Sequence, residues 1–239
     1  MPIVRVHPAA PRIDEATIAA VRELPSTIVS DQLDRSGIAL GIGPITPISL
    51  GILAGQALTV RTQPGDNVAV YKAISMAQPG DVLVVDGGGA MDRALMGEIV
   101  YRYAIARGIV GMVFDGCIRD AAEVAAGNVP VYAKGAAHLG PYKNGPGEVG
   151  GTIAVGGLVV RSGDVIVADA DGVTAIPPHR LAKVIEGGRK AMEKEVEAMR
   201  LADQGAIDVS WIEEKVKVVE VGADEGESTD GRDMSYGIR

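Results

Sequence analysis

Residues 79–120 read PGDVLVVDGGGAMDRALMGEIVYRYAIARGIVGMVFDGCIRD, and this stretch decides the fold class. The turn Pro79-Gly80-Asp81 leads into Val82–Val85, an apolar run of the kind buried on both faces of a parallel sheet. Gly87-Gly88-Gly89 follow at once and predict a loop at the carboxyl end of that strand. Met96, Ile99, Val100, Tyr103 and Ala104 then recur at helical spacing, predicting a buried stripe on a helix that Gly108 ends. Ile109–Phe114 is a second buried strand. Strand, glycine loop, helix and strand within about 35 residues have the size of a βαβ unit, for which a right-handed crossover is expected. The fold class is α/β.

On the N-terminal side, helical spacing runs from Ile13 to Leu24 and breaks at Pro25-Ser26, where Ser26 is placed to cap a second helix ending at Gly37. This helix pair, 13–37, is followed by a Gly- and Pro-punctuated loop over 38–55. A strand is predicted at Gln56–Arg61, and a helix capped by Asp66 runs to Ala77. On the C-terminal side the pattern turns to short strands: Val129–Tyr132, Thr152–Val155, Leu158–Val160, Asp164–Ala168 and Val173–Ile176. A long closing helix covers 178–201. Residues 221–239 are acidic and rich in Gly and Ser, and are expected to form a flexible tail. With no repeat and no clear linker, residues 1–220 are expected to form a single domain.

Composition narrows the function. The 239 residues include 32 glycines and only eight aromatics, so the core is aliphatic and the backbone turns often. Thirty-one acids against 23 Lys and Arg give a net charge of −8, which leaves no basic stripe and argues against nucleic acid as a partner. Cys117 is the only cysteine, which excludes a disulfide framework and any thiolate-rich zinc site. No apolar run approaches the roughly 18 residues of a membrane span, and no signal-like N-terminus precedes the fold. A cytoplasmic protein with no membrane partner is expected.

Several places could carry chemistry, each with a plainer reading beside it. Asp86-Gly87-Gly88-Gly89 ends a buried strand, where open α/β sheets bind ligands; the alternative is a tight turn. Asp115-Gly116-Cys117-Ile118-Arg119-Asp120 ends the next. There Asp120 is either a helix-start residue favoured by the dipole or a single-carboxylate site for hydrated Mg²⁺, with Arg119 an anion clamp or a solvated cation. Glu98 points off the apolar stripe, toward solvent or toward those strand ends. On the closing helix, Leu181, Ile185, Gly188, Met192 and Met199 share a face with Glu195 at its edge. A catalytic role for Cys117 has little support, because His7, His138 and His179 form no recognisable dyad with it; a small buried thiol is the expected state.

The quoted stretch, with ALMGEIV, ARGIVGMVFDG and IRD inside it, resembles the proteins similar to regulator of ribonuclease activity A. Weaker similarity extends to Ser30-Asp31-Gln32-Leu33, Gly156-Gly157 and SGDVIVADADGVTAIP, so it covers most of residues 25–205. This RraA-like group includes class II pyruvate aldolases acting on 4-hydroxy-4-methyl-2-oxoglutarate and 4-carboxy-4-hydroxy-2-oxoadipate. The resemblance implies a three-layer α/β/α swivelling domain with a mixed sheet, assembled as a homotrimer or homohexamer with sites at subunit interfaces. It implies that the backbone of Gly97, Glu98, Ile99 and Val100 holds a pyruvate carboxylate. It further implies that Glu98 serves proton transfer, Arg119 steadies the enolate, and Asp120 binds Mg²⁺ or Mn²⁺. Glu195 of a neighbouring subunit would complete the site. Oxaloacetate decarboxylation is the implied side activity. Family members that only inhibit a ribonuclease lack an acid after the arginine, whereas Arg119-Asp120 is intact here; a non-catalytic protein-binding regulator is the alternative. After Gly205 the chain reads GAIDVSWIEEKV where such aldolases carry a GELGLD-like segment, which bears on the acceptor half of the pocket.

Overall fold

The computed structural model describes residue 1 and residues 3–217; the expected tail at 221–239 lies outside them. The chain divides into two compact units, residues 1–194 and 195–239.

The first unit is built on a mixed sheet. Its strands are β1 (Val4–Val6), β2 (Gly43–Pro44), β3 (Leu53–Thr62), β4 (Asp81–Met96), β5 (Gly111–Ile118), β6 (Val131–Ala136), β7 (Gly147–Val149), β10 (Val165–Asp169) and β11 (Gly172–Ile176). Its main path runs β1-β7-β3-β4-β5-β6-β2, with β10 joined to β3 and β11 to β10. β3, β4, β5 and β6 are parallel neighbours; β10 and β11 run antiparallel. A separate hairpin joins β8 (Ile153–Val155) to β9 (Leu158–Val160).

Helices flank this sheet because its central strands are apolar on both faces. α3 (Val68–Met76), α4 (Glu98–Ala106) and α5 (Ala121–Ala125) close one core, in which Val70, Ile74, Val100 and Val124 meet Leu83, Val85, Met112 and Phe114. On β4 and β5 the alternate residues Val82, Val84 and Val113 join Ile153, Val155 and Val160 of the hairpin in a second core. A third core packs α1 (Glu15–Arg22), α2 (Ser26–Gln32) and the start of α6 (Leu181–Asp203) on β10 and β11 through Val21, Leu24, Val165, Val167, Ile176 and Val184. The second unit contains the C-terminal part of α6 and the short α7 (Trp211–Lys215).

Four local expectations are corrected. The second helix ends at Gln32 and not at Gly37, because Asp34 and Arg35 both take left-handed backbone. Ser26 is its first residue, and both its amide and its hydroxyl donate to Asp169 (2.7 and 2.6 Å). The glycine run is not a loop after a finished strand: β4 continues through it to Met96, with Gly88 and Gly89 at positive φ and shifts of register against β5. The helical stripe is out of phase, since Met96 belongs to β4. The buried face of α4 is Val100, Tyr101 and Ala104, while Ile99 is 74% exposed. Three short strands, β1, β2 and β7, were unforeseen.

Candidate functional site

The carboxyl ends of β4 and β5 are drawn together by their ladder. Met96 pairs with Ile118, and the Arg119 amide donates to the Met96 carbonyl (2.8 Å). This sets Gly97, which opens α4, against Arg119-Asp120, which open α5. Gly97 is required by close approach: a Cβ there would overlap Asp120 Oδ2 and lie 3.0 Å from Arg119 Cγ and Nε.

Asp120 itself has left-handed backbone (φ 53°, ψ 44°). That conformation is uncommon outside glycine, although Asp tolerates it better than most, and it aims the carboxylate back at α4. Asp120 Oδ2 accepts the Glu98 amide at 2.9 Å. The first intrahelical bond of α4 runs from the Tyr101 amide to the Gly97 carbonyl. The amides of Ile99 and Val100 therefore have no acceptor within the helix. Two unfilled N–H groups at a positive dipole end form a cradle for a carboxylate.

Arg119 and Asp120 are poorly paired with each other. Nε stands 3.8 Å from Oδ2, and each side chain is about two-fifths exposed. Arg119 Nε is nevertheless buried and has no hydrogen-bond partner among the described residues. Glu98 turns its carboxylate onto the next turn of the helix, where Oε1 accepts from Arg102 Nε and Nη2 (2.8 and 2.6 Å). The structure thus brings together Gly97, the Glu98 amide, Ile99, Val100, Arg119 and Asp120. Glu195 is exposed on α6, in the second unit.

Sequence reasoning missed the wall of this site. The Ala137 amide donates to the Ile118 carbonyl and the Ala94 amide to the Leu139 carbonyl, both at 2.9 Å, which brings Gly140 against Arg119. The only local signal was the Gly140-Pro141 turn. Asp115, by contrast, stands apart. It pairs with Lys134 (2.9 Å) on β6 and accepts the Gly156 amide (3.1 Å). Cys117 is fully buried beside Met91, and burial pushes its thiol pKa up, as for a thiol that packs in the core.

Among the described residues no group of three or more His, Cys, Asp or Glu could hold a metal ion. The single-carboxylate arrangement is a different matter. Asp120 keeps Oδ1 without a partner among the described residues, on a part-exposed side chain, and one carboxylate suits a cation that retains most of its water.

A mixed α/β fold with an anion cradle and an Arg-Asp pair at adjacent strand ends defines the class. Residues 26–175 match the RraA-like family, described as Aldolase/RraA, and the chain belongs to that family. It is 40% identical over 174 residues, 72% of this chain and 82% of the relative, to a Halalkalibacterium halodurans protein named "Putative 4-hydroxy-4-methyl-2-oxoglutarate aldolase". The fold is shared with Streptomyces coelicolor RraAS2, an unusual member of the RNase ES inhibitor RraA protein family. That match has a TM-score of 0.72 and 24% identity, covering 80% of this chain and 98% of that one. The RNA-processing inhibitor RraA from Thermus thermophilis is also similar, with a TM-score of 0.58 and 30% identity over 64% of this chain and 92% of that one. Among the described residues no helix is long and apolar enough to cross a membrane.

Proposed function

We propose that this protein is a divalent-metal-dependent lyase that cleaves a 4-hydroxy-2-oxo acid and releases pyruvate. The observation that carries the reading is the joint placement of two unfilled amides, Ile99 and Val100, beside an arginine whose buried Nε lacks an acceptor. The name of the 40%-identical relative supports the same reaction.

In this reading the amides of Ile99 and Val100 bind the substrate carboxylate, and the positive end of α4 favours its charge. Asp120 would hold Mg²⁺ or Mn²⁺, which would supply Lewis-acid polarisation of the 2-oxo group. A base takes the proton of the C4 hydroxyl, the C3–C4 bond breaks, and its electron pair passes to the three-carbon unit as an enolate. Arg119 stabilises the negative charge on that oxygen. Glu98 returns a proton to C3 through water, giving pyruvate; its Oε2 is left for this work while Oε1 is held by Arg102. Glu195 from a neighbouring subunit would complete the site in a homotrimer or homohexamer. Residues 1–220 would form the RraA-like domain. The same enolate stabilisation would allow oxaloacetate decarboxylation.

The test is a coupled pyruvate-release assay on oxaloacetate and a 4-hydroxy-2-oxo diacid, with and without EDTA. Turnover abolished by EDTA and restored by Mg²⁺ is expected. Absent or metal-independent turnover on every substrate overturns the reading and favours a non-catalytic regulator, which the likeness to the Thermus RNA-processing inhibitor would then support.

A further inference from the structure

The Arg119 guanidinium has no acceptor on Nε, and its nearest carboxylate is 3.8 Å away. A long cationic side chain without such an anchor is oriented by what it packs against. Gly97 lies against its Cγ and Nε, and Gly140 against its tip: a Cβ at Gly140 would stand 2.7 Å from Arg119 Nη1, so the end of the guanidinium lies on bare backbone.

Gly140 is in turn held by a second arginine from elsewhere in the chain. Arg93, on β4, donates through Nη1 to the Gly140 carbonyl and through Nη2 to the Tyr142 hydroxyl (3.0 Å). Its Cζ sits 4.0 Å above the centre of the Tyr142 ring, a stacked cation–π contact. The Arg93 stem crosses Gly65, where a Cβ would meet its Cδ at 2.8 Å, and the Tyr142 amide donates to the Gly65 carbonyl (2.8 Å). Arg93 therefore holds residues 140–142 by one hydrogen bond to the Gly140 carbonyl, one to the Tyr142 hydroxyl and a cation–π contact, behind the backbone on which Arg119 lies.

We propose that Arg93 is a positioning residue for Arg119, fixing the Gly140 backbone against which the Arg119 guanidinium is laid. Lysine can reproduce only part of the role, because a single ammonium lacks the planar fork that bonds two oxygens while lying over a ring. The proposal rests on the reading that Arg119 faces the reacting three-carbon unit. Its test is chosen so that the two fail separately.

The first measurement is independent of turnover. The Nε–Hε signal of Arg119 in ¹⁵N-labelled protein is identified by its loss in Arg119→Lys, and its solvent exchange is measured. Slow exchange is expected in the parent protein, and a shifted, faster-exchanging signal in Arg93→Met and in Gly140→Ala. Arg189→Met, on the exposed face of α6, should leave it unchanged. An unaltered signal in Arg93→Met overturns the proposal whether or not the protein is an aldolase.

The second measurement is a double-mutant cycle on pyruvate release. Arg93→Met should lower kcat/KM about 100-fold, the effect of roughly an ångström's misplacement of a catalytic group. In the Arg119→Lys background it should change kcat/KM by no more than about twofold. Arg93→Lys should recover part of the loss. Equal losses in both backgrounds would mean that Arg93 acts through general structure, and would overturn the proposal. If Arg93→Met does not fold, Gly140→Ala and Arg93→Lys carry both measurements. A parent protein that releases no pyruvate ends the aldolase reading, while the Arg119 signal still decides the role of Arg93.

Discussion

Two cation–carboxylate pairs are anchored on the end of β5, and they are built in opposite ways. Asp115 and Lys134 lie 2.9 Å apart with side chains 10% and 26% exposed, and Asp115 also accepts the Gly156 amide. Arg119 and Asp120 are adjacent in sequence yet stand 3.8 Å apart, more exposed, with a buried Nε left unbonded. The first pair is a close ion pair that offsets the burial of both charges, although Lys134 Nζ meets Asp115 Oδ1 off the hydrogen-bond direction. The second is held apart by its neighbours, so that the part-exposed Arg119 guanidinium and Asp120 Oδ1 keep bonding capacity for a small anion and a hydrated cation.

Exchanging the roles of the two pairs should fail in different currencies. Asp120→Asn and Arg119→Lys are each expected to reduce EDTA-sensitive pyruvate release about 10³-fold, and thermal melting should move little. A fully active Asp120→Asn would remove the metal assignment. Lys134→Met leaves Asp115 buried without its cation, which costs about 3 kcal/mol. For a domain of this size that lowers Tm by roughly 6–12 °C. If Lys134→Met melts like the parent protein, the contrast between the pairs is void.

Gly97→Ala sharpens the comparison from the other side, because its new methyl group collides with Asp120 Oδ2 without touching Asp115. Activity should fall about 100-fold, read as kcat/KM, with Tm nearly constant. The smallest effect concerns Asp164, a carboxylate with neither arrangement. It is buried, accepts only the Arg161 amide (2.8 Å) among the described residues, and burial raises its pKa. A carboxyl pKa raised by folding means that the ionised form disfavours the folded state. That penalty is present above the ordinary carboxylate range and fades as pH falls below it. Asp164→Asn should therefore raise Tm by roughly 2 °C near neutral pH, and the gain should vanish in melts at about pH 3. A gain that grew toward acid would contradict the assignment.

Much of the candidate site was legible along the chain, because Gly97-Glu98 and Arg119-Asp120 each sit at the end of an apolar run that could only be a buried strand. The runs were readable since parallel strands covered on both faces need no alternation. Legibility failed where one element passes into another without punctuation. Met96 carries the periodicity of a helix but belongs to β4, and that single residue turned the predicted face of α4 so that Ile99 was placed inward. The short β7 was invisible because Gly147-Glu148-Val149 is too brief to show a period.

The sequence by itself determined the α/β class, the aliphatic core, the buried thiol of Cys117 and the identity of the residues at the two strand ends. These follow from local patterning and composition. Only the tertiary structure decided which carboxylate is in a close buried ion pair and which is left part-exposed, and that Arg93 and Arg119 both meet Gly140. Those facts depend on contacts between residues far apart in the chain, where spacing carries no information and only the packed backbone brings the groups within bonding distance.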